Sequence, residues 1–424
     1  MKIKLIEKFK KHKTPIYFLN STLISSVVGI LTGFVTYRYV TPDYMGIWVT
    51  LTTFTVYATF FRLGIPNGMN RELPYYLGKN ETVKAYKFAE TTLAYSLFIT
   101  GLLSILIIGC FVYFNFNKYG LYATDYKQAM FVIALTVVFE PYSTYLSGTF
   151  STSDNFKKLS DIQMIMSLIQ LSSMAFVILW GFQGYILRAL IISSTNLLLL
   201  HVWRPLSFIK PKFSFSIFKN LFFVGSIIFL VSYAFSFIET LPRLYIINYG
   251  TAKNLGLFSP IIMLFGIITL IPNTLTNYLY PKFSKSFGAN SDRSVFWKQM
   301  RLIYILSFVI AIIGSLFLYF LIDYIILLFP KYIEALPYIK LACLPILFVG
   351  YKLGNVLCVV FKEWKWLSSY IIIYFILQFT TLYIIGKIIG DSLKTVIISL
   401  LITYIFMFIY SYFITYKITH KNIM

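Results

Sequence analysis

The residues that could do chemistry in this chain are the few charged side chains inside its long apolar stretches. Glu140 is the clearest of them, because it lies in the apolar segment Val137-Val-Phe-Glu-Pro-Tyr-Ser-Thr-Tyr145. A charge at the centre of a bilayer costs about 2.5–3.5 kcal/mol on insertion scales, so a residue of this kind is a functional candidate. A carboxylate there can bind a proton or a cation, and we interpret Glu140 as a coupling residue. The alternative is that it neutralises a basic residue on another helix.

Lys352 lies in a second apolar stretch, with Asn355 three residues later. On a continuous helix this spacing puts both side chains on one face. An ammonium beside an amide can bind an anion or a hydroxyl-rich ligand, so both residues are binding candidates. The alternative is an ion pair between Lys352 and Glu140.

Glu239 and Arg243 are four residues apart with Pro242 between them, so they can pair within one helix. In a binding role, the planar guanidinium of Arg243 suits a phosphate. Glu239 would then join Glu140 as a coupling candidate. Both interpretations remain open from the sequence.

Arg62 and Arg71 follow another apolar stretch, together with Asn67 and Asn70. As a cluster they predict an anion-binding mouth at the end of that stretch. The alternative is that they only set the orientation of the chain in a membrane, as basic residues in cytoplasmic loops do.

The sequence carries no motif for catalysis, nucleotide binding or metal binding. It has no GxxxxGK[ST] loop, and its three His and three Cys lack the spacing of metal ligands. We therefore predict that the chain is not an enzyme and has no catalytic residue, metal or cofactor. Coupling of transport to the movement of H⁺ or Na⁺ remains open.

The elements that position these charges are predicted to be membrane-spanning helices. Only 12% of the chain is charged and 58% is hydrophobic, whereas a soluble domain is about 25% charged. A net charge of +22 alone would suggest a nucleic-acid partner, but so apolar a composition excludes one. A spanning helix needs about 20 mostly apolar residues. Twelve runs qualify: 17–37, 44–61, 91–114, 130–150, 162–180, 185–200, 221–247, 257–279, 303–322, 341–361, 366–386 and 393–416.

The basic residues predict the orientation of these spans. With the N-terminus inside, 26 of the 37 Lys and Arg fall in inside segments and ten lie outside or at outer helix ends. We therefore predict a multi-pass membrane protein with both termini in the cytoplasm. No outer segment is long enough for an extracellular domain.

The two halves of the chain carry matching features. Gly46 precedes Arg71 by 25 residues, and Gly256 precedes Pro281 by the same distance. We predict an all-α polytopic membrane protein with twelve transmembrane helices in two six-helix lobes, residues 1–210 and 211–424. A parallel pseudo-twofold repeat would relate the lobes around a central cavity, where such bundles hold their substrate.

Four motifs resemble those of polysaccharide flippases. They are Arg38-Tyr-Val-Thr-Pro-Asp-Tyr-Met-Gly46, Leu63-Gly-Ile-Pro-Asn-Gly-Met-Asn-Arg71-Glu-Leu-Pro, Tyr280-Pro-Lys-Phe-Ser284 and Leu328-Phe-Pro-Lys-Tyr-Ile-Glu-Ala335. Their order and position resemble the O-antigen or capsule translocases (Wzx-type) of the multidrug/oligosaccharidyl-lipid/polysaccharide exporter (MOP) superfamily. The resemblance implies alternating access in the bacterial cytoplasmic membrane. It also implies a substrate, an oligosaccharide on undecaprenyl pyrophosphate that is moved from the inner to the outer leaflet.

Two other functions remain as alternatives at this stage. A multidrug or cation antiporter of the same superfamily would need an acidic cavity, which Lys352 and the basic inner segments disfavour. A membrane polysaccharide polymerase or ligase would need a substantial outer loop. The expected partners are lipid-linked oligosaccharide and membrane lipids, and other polysaccharide-assembly proteins are candidates.

Overall fold

The computed structural model describes residues 2–113, 120–121, 123–153, 155–289 and 293–420. Within these ranges the side chains of 2–16, 19, 110–111, 228, 270–282 and 284–289 are not described. The N-terminal lysine run therefore lies outside the described side chains. So does the Tyr280–Ser284 motif, apart from Phe283.

The described chain is built of helices joined by short turns. Long apolar segments form helices because a helix satisfies all its backbone polar groups internally, as a bilayer requires. The helices are α1 (Lys2–Tyr39), α2 (Pro42–Ala58), α3 (Ile65–Gly78), α4 (Thr82–Tyr113), α5 (Ala123–Thr152), α6 (Phe156–Ser172), α7 (Met174–Val202), α8 (Phe215–Tyr249), α9 (Ala252–Ala289), α10 (Ser294–Ile325), α11 (Leu336–Ile346), α12 (Asn355–Val360), α13 (Trp364–Ile388) and α14 (Ser392–Thr419).

The helices account for all twelve predicted spans in order. Across the described ranges, nine helices are long and apolar enough to cross a membrane, and a pair of segments bent by 42° around α11 and α12 makes a tenth. Helix α2 is a further span that has 17 residues and continues into a 3₁₀ turn, Thr59–Arg62. The twelfth span becomes evident from the path of the chain within α7.

The chain reverses inside α7, at Gly181. This glycine has φ 56° and ψ −122°, a conformation that suits a residue without a side chain. A straight helix would separate Phe176 from Gly184 by about 12 Å. Instead, a Cβ on Gly184 would collide with the carbonyl oxygen of Phe176. Segments 156–180 and 182–202 are therefore two antiparallel spans, and the predicted all-α, twelve-helix polytopic fold is confirmed.

The contacts divide the chain into two compact units. Unit 1 contains residues 1–40 and 51–236, and unit 2 contains residues 41–50 and 237–424. The three boundaries between the units fall between α1 and α2, within α2 and within α8. The lobes predicted at 1–210 and 211–424 stay a prediction. The core of unit 1 includes Ile65, Phe88 and Phe150, and that of unit 2 includes Tyr304 and Tyr370.

Unit 2 contains a reciprocal contact between the starts of α2 and α9. A Cβ on Gly46 would collide with the carbonyl oxygen of Ala252, and a Cβ on Gly256 would collide with that of Pro42. Gly46 matches Gly256 in the predicted repeat, and Pro42 then matches Ala252. Paired contacts of this kind arise when a twofold axis relates two segments.

Candidate functional site

The site in unit 2 begins with the charged turn of α8. Glu239 and Arg243 lie one turn apart in this helix, which runs through Pro242 without a break. Both line a cavity of about 260 Å³. Charged side chains in a membrane-spanning helix are stable when they face a cavity or a partner, and these two do so.

The tenth span supplies the opposite wall, and its shape corrects the sequence prediction. We expected one continuous helix over 341–361, with Lys352 in its middle. Instead, α11 ends at Ile346, a 3₁₀ turn follows at Val349–Lys352, and α12 begins at Asn355. Within the break, the Tyr351 amide donates to the Phe348 carbonyl oxygen at 3.1 Å.

The two binding candidates of this span differ in their position relative to the cavity. Lys352 lines the cavity, whereas Asn355 is not among the described residues that line it. The residues between them, Leu353 and Gly354, keep right-handed helical φ and ψ angles. The cavity wall consists of Glu239, Pro242, Arg243, Phe258, Ile262, Phe265, Gly266, Thr269, Val349, Tyr351, Lys352, Leu353, Tyr374, Leu400 and Tyr404.

Lys352 and Glu239 form an ion pair across the cavity. Their side chains are 36% and 45% exposed, so the pair is accessible rather than sealed in the core. Glu239 therefore pairs with Lys352 and not with Arg243, which differs from the local pair considered in the sequence. Glu140, the alternative partner considered for Lys352, is itself paired with Arg62.

Arg243 is the charge that the described cavity leaves unmatched. Among the described side chains, it makes no hydrogen bond or ion pair. The described lining thus carries two positive charges and one negative charge. An anion is the ligand that would complete this arrangement, because guanidinium donors form strong charge-assisted hydrogen bonds to phosphate and carboxylate.

Tyrosine side chains form the wall next to these charges, and sequence reasoning missed them. The rings of Tyr351 and Tyr404 stack with centroids 4.5 Å apart. The hydroxyls of Tyr351 and Tyr374 are 3.1 Å apart, and the Tyr370 hydroxyl donates to the Tyr351 carbonyl oxygen at 2.7 Å. The one sequence feature that could have indicated this wall is that Tyr351 directly precedes the candidate residue Lys352. Tyr374 and Tyr404 come from other helices and gave no signal.

Unit 1 holds the other coupling candidate. Glu140 on α5 forms an ion pair with Arg62, which ends the 3₁₀ turn after α2. The Thr144 hydroxyl, one turn along α5, donates to the Glu140 carboxylate at 3.3 Å. The Nε of Arg62 is buried without a described hydrogen-bond partner. Glu140 therefore neutralises a basic residue of another element, which does not exclude a coupling role.

Arg71 lies apart from this pair. It belongs to α3, and its side chain is 64% exposed. Its nearest carboxylate is that of its neighbour Glu72, at 3.6 Å. The predicted cluster of basic residues thus contains one arginine that is tied to Glu140 and another that is exposed on the surface of α3. Within the described ranges, no group of three His, Cys, Asp or Glu side chains could hold a metal ion.

Solved structures of membrane transporters share the fold of this chain. An inward-facing multidrug resistance MATE family transporter of the MOP superfamily aligns with a TM-score of 0.75 and 12% identity, over 96% of this chain and 99% of that chain. The lipid II flippase MurJ, in an inward closed conformation, aligns with a TM-score of 0.66 and 15% identity, over 95% of this chain and 90% of that chain. A MOP superfamily transporter from Pyrococcus furiosus, whose binding pocket is described as having reverse polarity, aligns with a TM-score of 0.62 and 13% identity. The alignment covers 96% of this chain and 97% of that chain.

Comparison by sequence gives no family. No protein-family model matches the chain. No curated protein sequence matches it either. The likeness in structure nevertheless extends over almost the full length of this chain and of the transporters. The chain is therefore a multi-pass helical membrane protein with the fold of the MOP superfamily transporters.

Proposed function

We propose that this protein is a flippase for lipid-linked oligosaccharides. It would move an oligosaccharide linked to undecaprenyl pyrophosphate from the inner to the outer leaflet of the bacterial cytoplasmic membrane. The observation that carries the proposal is the cavity of unit 2, where Arg243 makes no described hydrogen bond or ion pair and lies beside the Lys352–Glu239 pair and a tyrosine wall. The glycan would be an O-antigen, capsule or exopolysaccharide repeat unit.

Arg243 binds the pyrophosphate in this proposal. The guanidinium presents two parallel donors that match two phosphate oxygens. The arriving anion also competes with Glu239 for Lys352, so binding loosens the existing ion pair. Lys352 and Arg243 then hold the headgroup together, while Glu239 is released.

The tyrosine wall holds the sugar. Aromatic rings combine a large apolar face with a polar hydroxyl, which suits the mixed surface of a sugar ring. Tyr404, which is partly buried, lies beside Lys352 in the cavity wall, and its ring stacks on that of the buried Tyr351. The oligosaccharide would thus be held by contacts that tolerate different sugars, next to the charged group that all these substrates share.

Ion binding would reset the transporter between the two sides of the membrane. Glu140 and Glu239 each form an ion pair with a basic side chain. Binding of H⁺ or Na⁺ to either carboxylate would cancel its charge and weaken the pair. Since each pair joins two elements, its release would let those elements move, as alternating access requires.

The proposed orientation of the chain in the membrane puts its basic segments on the inner side. Both termini lie in the cytoplasm, and the basic inner segments contact anionic lipids. Arg71, exposed on α3, would meet the lipid-linked anion on the cytoplasmic side. Proteins of polysaccharide assembly would deliver the substrate and receive it.

Proteoliposomes separate this function from drug efflux. Purified protein is reconstituted with a fluorescent undecaprenyl-pyrophosphate oligosaccharide, and an impermeant glycosidase reports its translocation. In parallel vesicles, uptake of a cationic dye is followed. We expect translocation of the glycolipid and no uptake of dye. Dye uptake with an immobile glycolipid would establish the antiporter function instead.

A further inference from the structure

A second, apolar groove lies in unit 2 between the C-terminal halves of α8 and α13. Its volume is about 460 Å³. Leu241, Leu244 and Asn248 line it from α8, and Phe379 and Leu382 line it from α13. The Asn248 amide donates to the Leu244 carbonyl oxygen at 2.9 Å, so this polar group is satisfied within its own helix. Such a wall favours an apolar occupant.

An aromatic side chain brings the two walls of the groove into contact. A Cβ on Gly386 of α13 would collide with the hydroxyl of Tyr245 from α8. Tyr245 therefore spans the space between the helices, and the missing side chain at Gly386 makes room for it. Phe379 is 56% exposed at the edge of the groove, so an occupant can enter from the side.

One end of the groove carries a positive charge. Lys387, in the last turn of α13, lines the groove and places its Nζ 4.4 Å from the centroid of the Tyr383 ring. It forms no ion pair with any carboxylate that the structure describes. An apolar groove that ends at an unpaired lysine complements a long hydrocarbon chain with an anionic group at its end.

Helix α8 joins this groove to the polar cavity. Leu241 and Leu244 face the groove, whereas Pro242 and Arg243 line the cavity. On α13, Tyr374 lines the cavity and Phe379 lines the groove. The two sites therefore adjoin along both helices. A ligand with a charged head and a long apolar chain has the chemistry that these two neighbouring sites offer.

We propose that the α8–α13 groove binds the isoprenoid chain of the carrier lipid, with Lys387 holding its phosphate. This inference rests on the proposed function and adds a site to it. The carrier would be held by its chain after the headgroup has left Arg243. The occupant to which we commit is a polyprenyl phosphate and not a bulk phospholipid.

Equilibrium binding to the full-length protein tests the groove without any transport. Native mass spectrometry from detergent would titrate undecaprenyl phosphate, undecaprenol and phosphatidylglycerol. Lys387→Gln should weaken binding of undecaprenyl phosphate about ten-fold, the effect of one charge-assisted hydrogen bond, and leave undecaprenol binding unchanged. Leu244→Trp, which fills the groove, should weaken both. Lys394→Gln, in the first turn of α14, and Ile313→Trp, exposed on α10, are the matched controls.

Two results would overturn the inference. One is equal binding of undecaprenyl phosphate by Lys387→Gln and Lys394→Gln. The other is displacement of undecaprenyl phosphate by an equal concentration of phosphatidylglycerol, which would make the groove an ordinary lipid contact. The Lys387→Gln comparison stands even where Leu244→Trp fails to fold. A chain that binds undecaprenyl phosphate but moves no glycolipid would refute the proposed function alone.

Discussion

A charged side chain in an apolar helix bundle needs an opposite charge, and Arg62 and Glu140 meet this need for each other. The pair is partly exposed, at 21% for Arg62 and 38% for Glu140. Solvent therefore screens the attraction between the two charges, and losing the pair costs less stability than losing one in a dry core. The buried Nε of Arg62, which has no described partner, keeps the arginine dependent on this carboxylate.

We expect Glu140→Gln to lower the free energy of unfolding by about 1–3 kcal/mol, because it leaves Arg62 without its counter-charge. Removing Arg62 as well should recover part of the loss. Thermal or denaturant unfolding of the two single variants and the double variant in detergent gives the coupling. Glu81→Gln is the matched control, because its pair with Lys84 is half exposed at 3.6 Å. Strictly additive losses at Arg62 and Glu140 would contradict the pairing.

Glu239 competes with an incoming anion for Lys352, which gives a second prediction. Glu239→Gln should raise the affinity for undecaprenyl pyrophosphate roughly five-fold, because a half-exposed ion pair contributes up to about 1 kcal/mol. Isothermal titration measures the change. Asp323→Asn is the control, since its pair with Lys340 has similar exposure but does not line the cavity. Unchanged or weaker binding by Glu239→Gln would show that Glu239 does not oppose the anion.

The break between α11 and α12 explains why the sequence predicted Lys352 but not its surroundings. The run 341–361 is apolar throughout, and length and hydropathy therefore indicate one helix. Pro345, Gly350 and Gly354 lie within it and weaken helical structure. These residues indicated that the span could break. They did not indicate where the helix would end, because packing against α9 and α14 decides that.

The reciprocal contact of α2 with α9 depends on the absence of side chains at Gly46 and Gly256. We expect Gly46→Val and Gly256→Val each to lower the free energy of unfolding by about 1–3 kcal/mol, as overpacking does. Thermal unfolding in detergent is the measurement. Gly101→Val on α4 is the control, because a Cβ there meets nothing within 4 Å. Equal stability of all three variants would mean that the contact is loose.

The twelve spans could be predicted from sequence because each depends on local composition and length. The hairpin at Gly181 was predicted as a gap between the runs 162–180 and 185–200, and the structure confirms it. The candidate site was only partly predictable. Charges inside apolar runs are visible in sequence, so Glu239, Arg243 and Lys352 could be named. Their partners could not, since the Lys352–Glu239 pair joins residues 113 positions apart.

The orientation of the chain stays a prediction from its basic residues, and cysteine labelling tests it. In a chain without its three native cysteines, Lys394→Cys should react with an impermeant maleimide in intact cells. Lys79→Cys should react only after the membrane is opened, because the positive-inside rule places its loop in the cytoplasm. The reverse pattern would invert the topology and, with it, the direction of transport.

The proposed function depends above all on the unmatched charge in the cavity of unit 2. The most direct measurement is the initial rate of glycolipid translocation by a chain carrying Arg243→Gln and Lys352→Ala, in the proteoliposomes described above. Lys340→Gln serves as the control, because its lysine does not line the cavity. We predict a rate at least about ten-fold below that of the unchanged protein, since charge-assisted hydrogen bonds to the pyrophosphate are lost, and a control rate that is unchanged. Translocation by the double variant at the rate of the unchanged protein would contradict the assignment of this cavity as the substrate site.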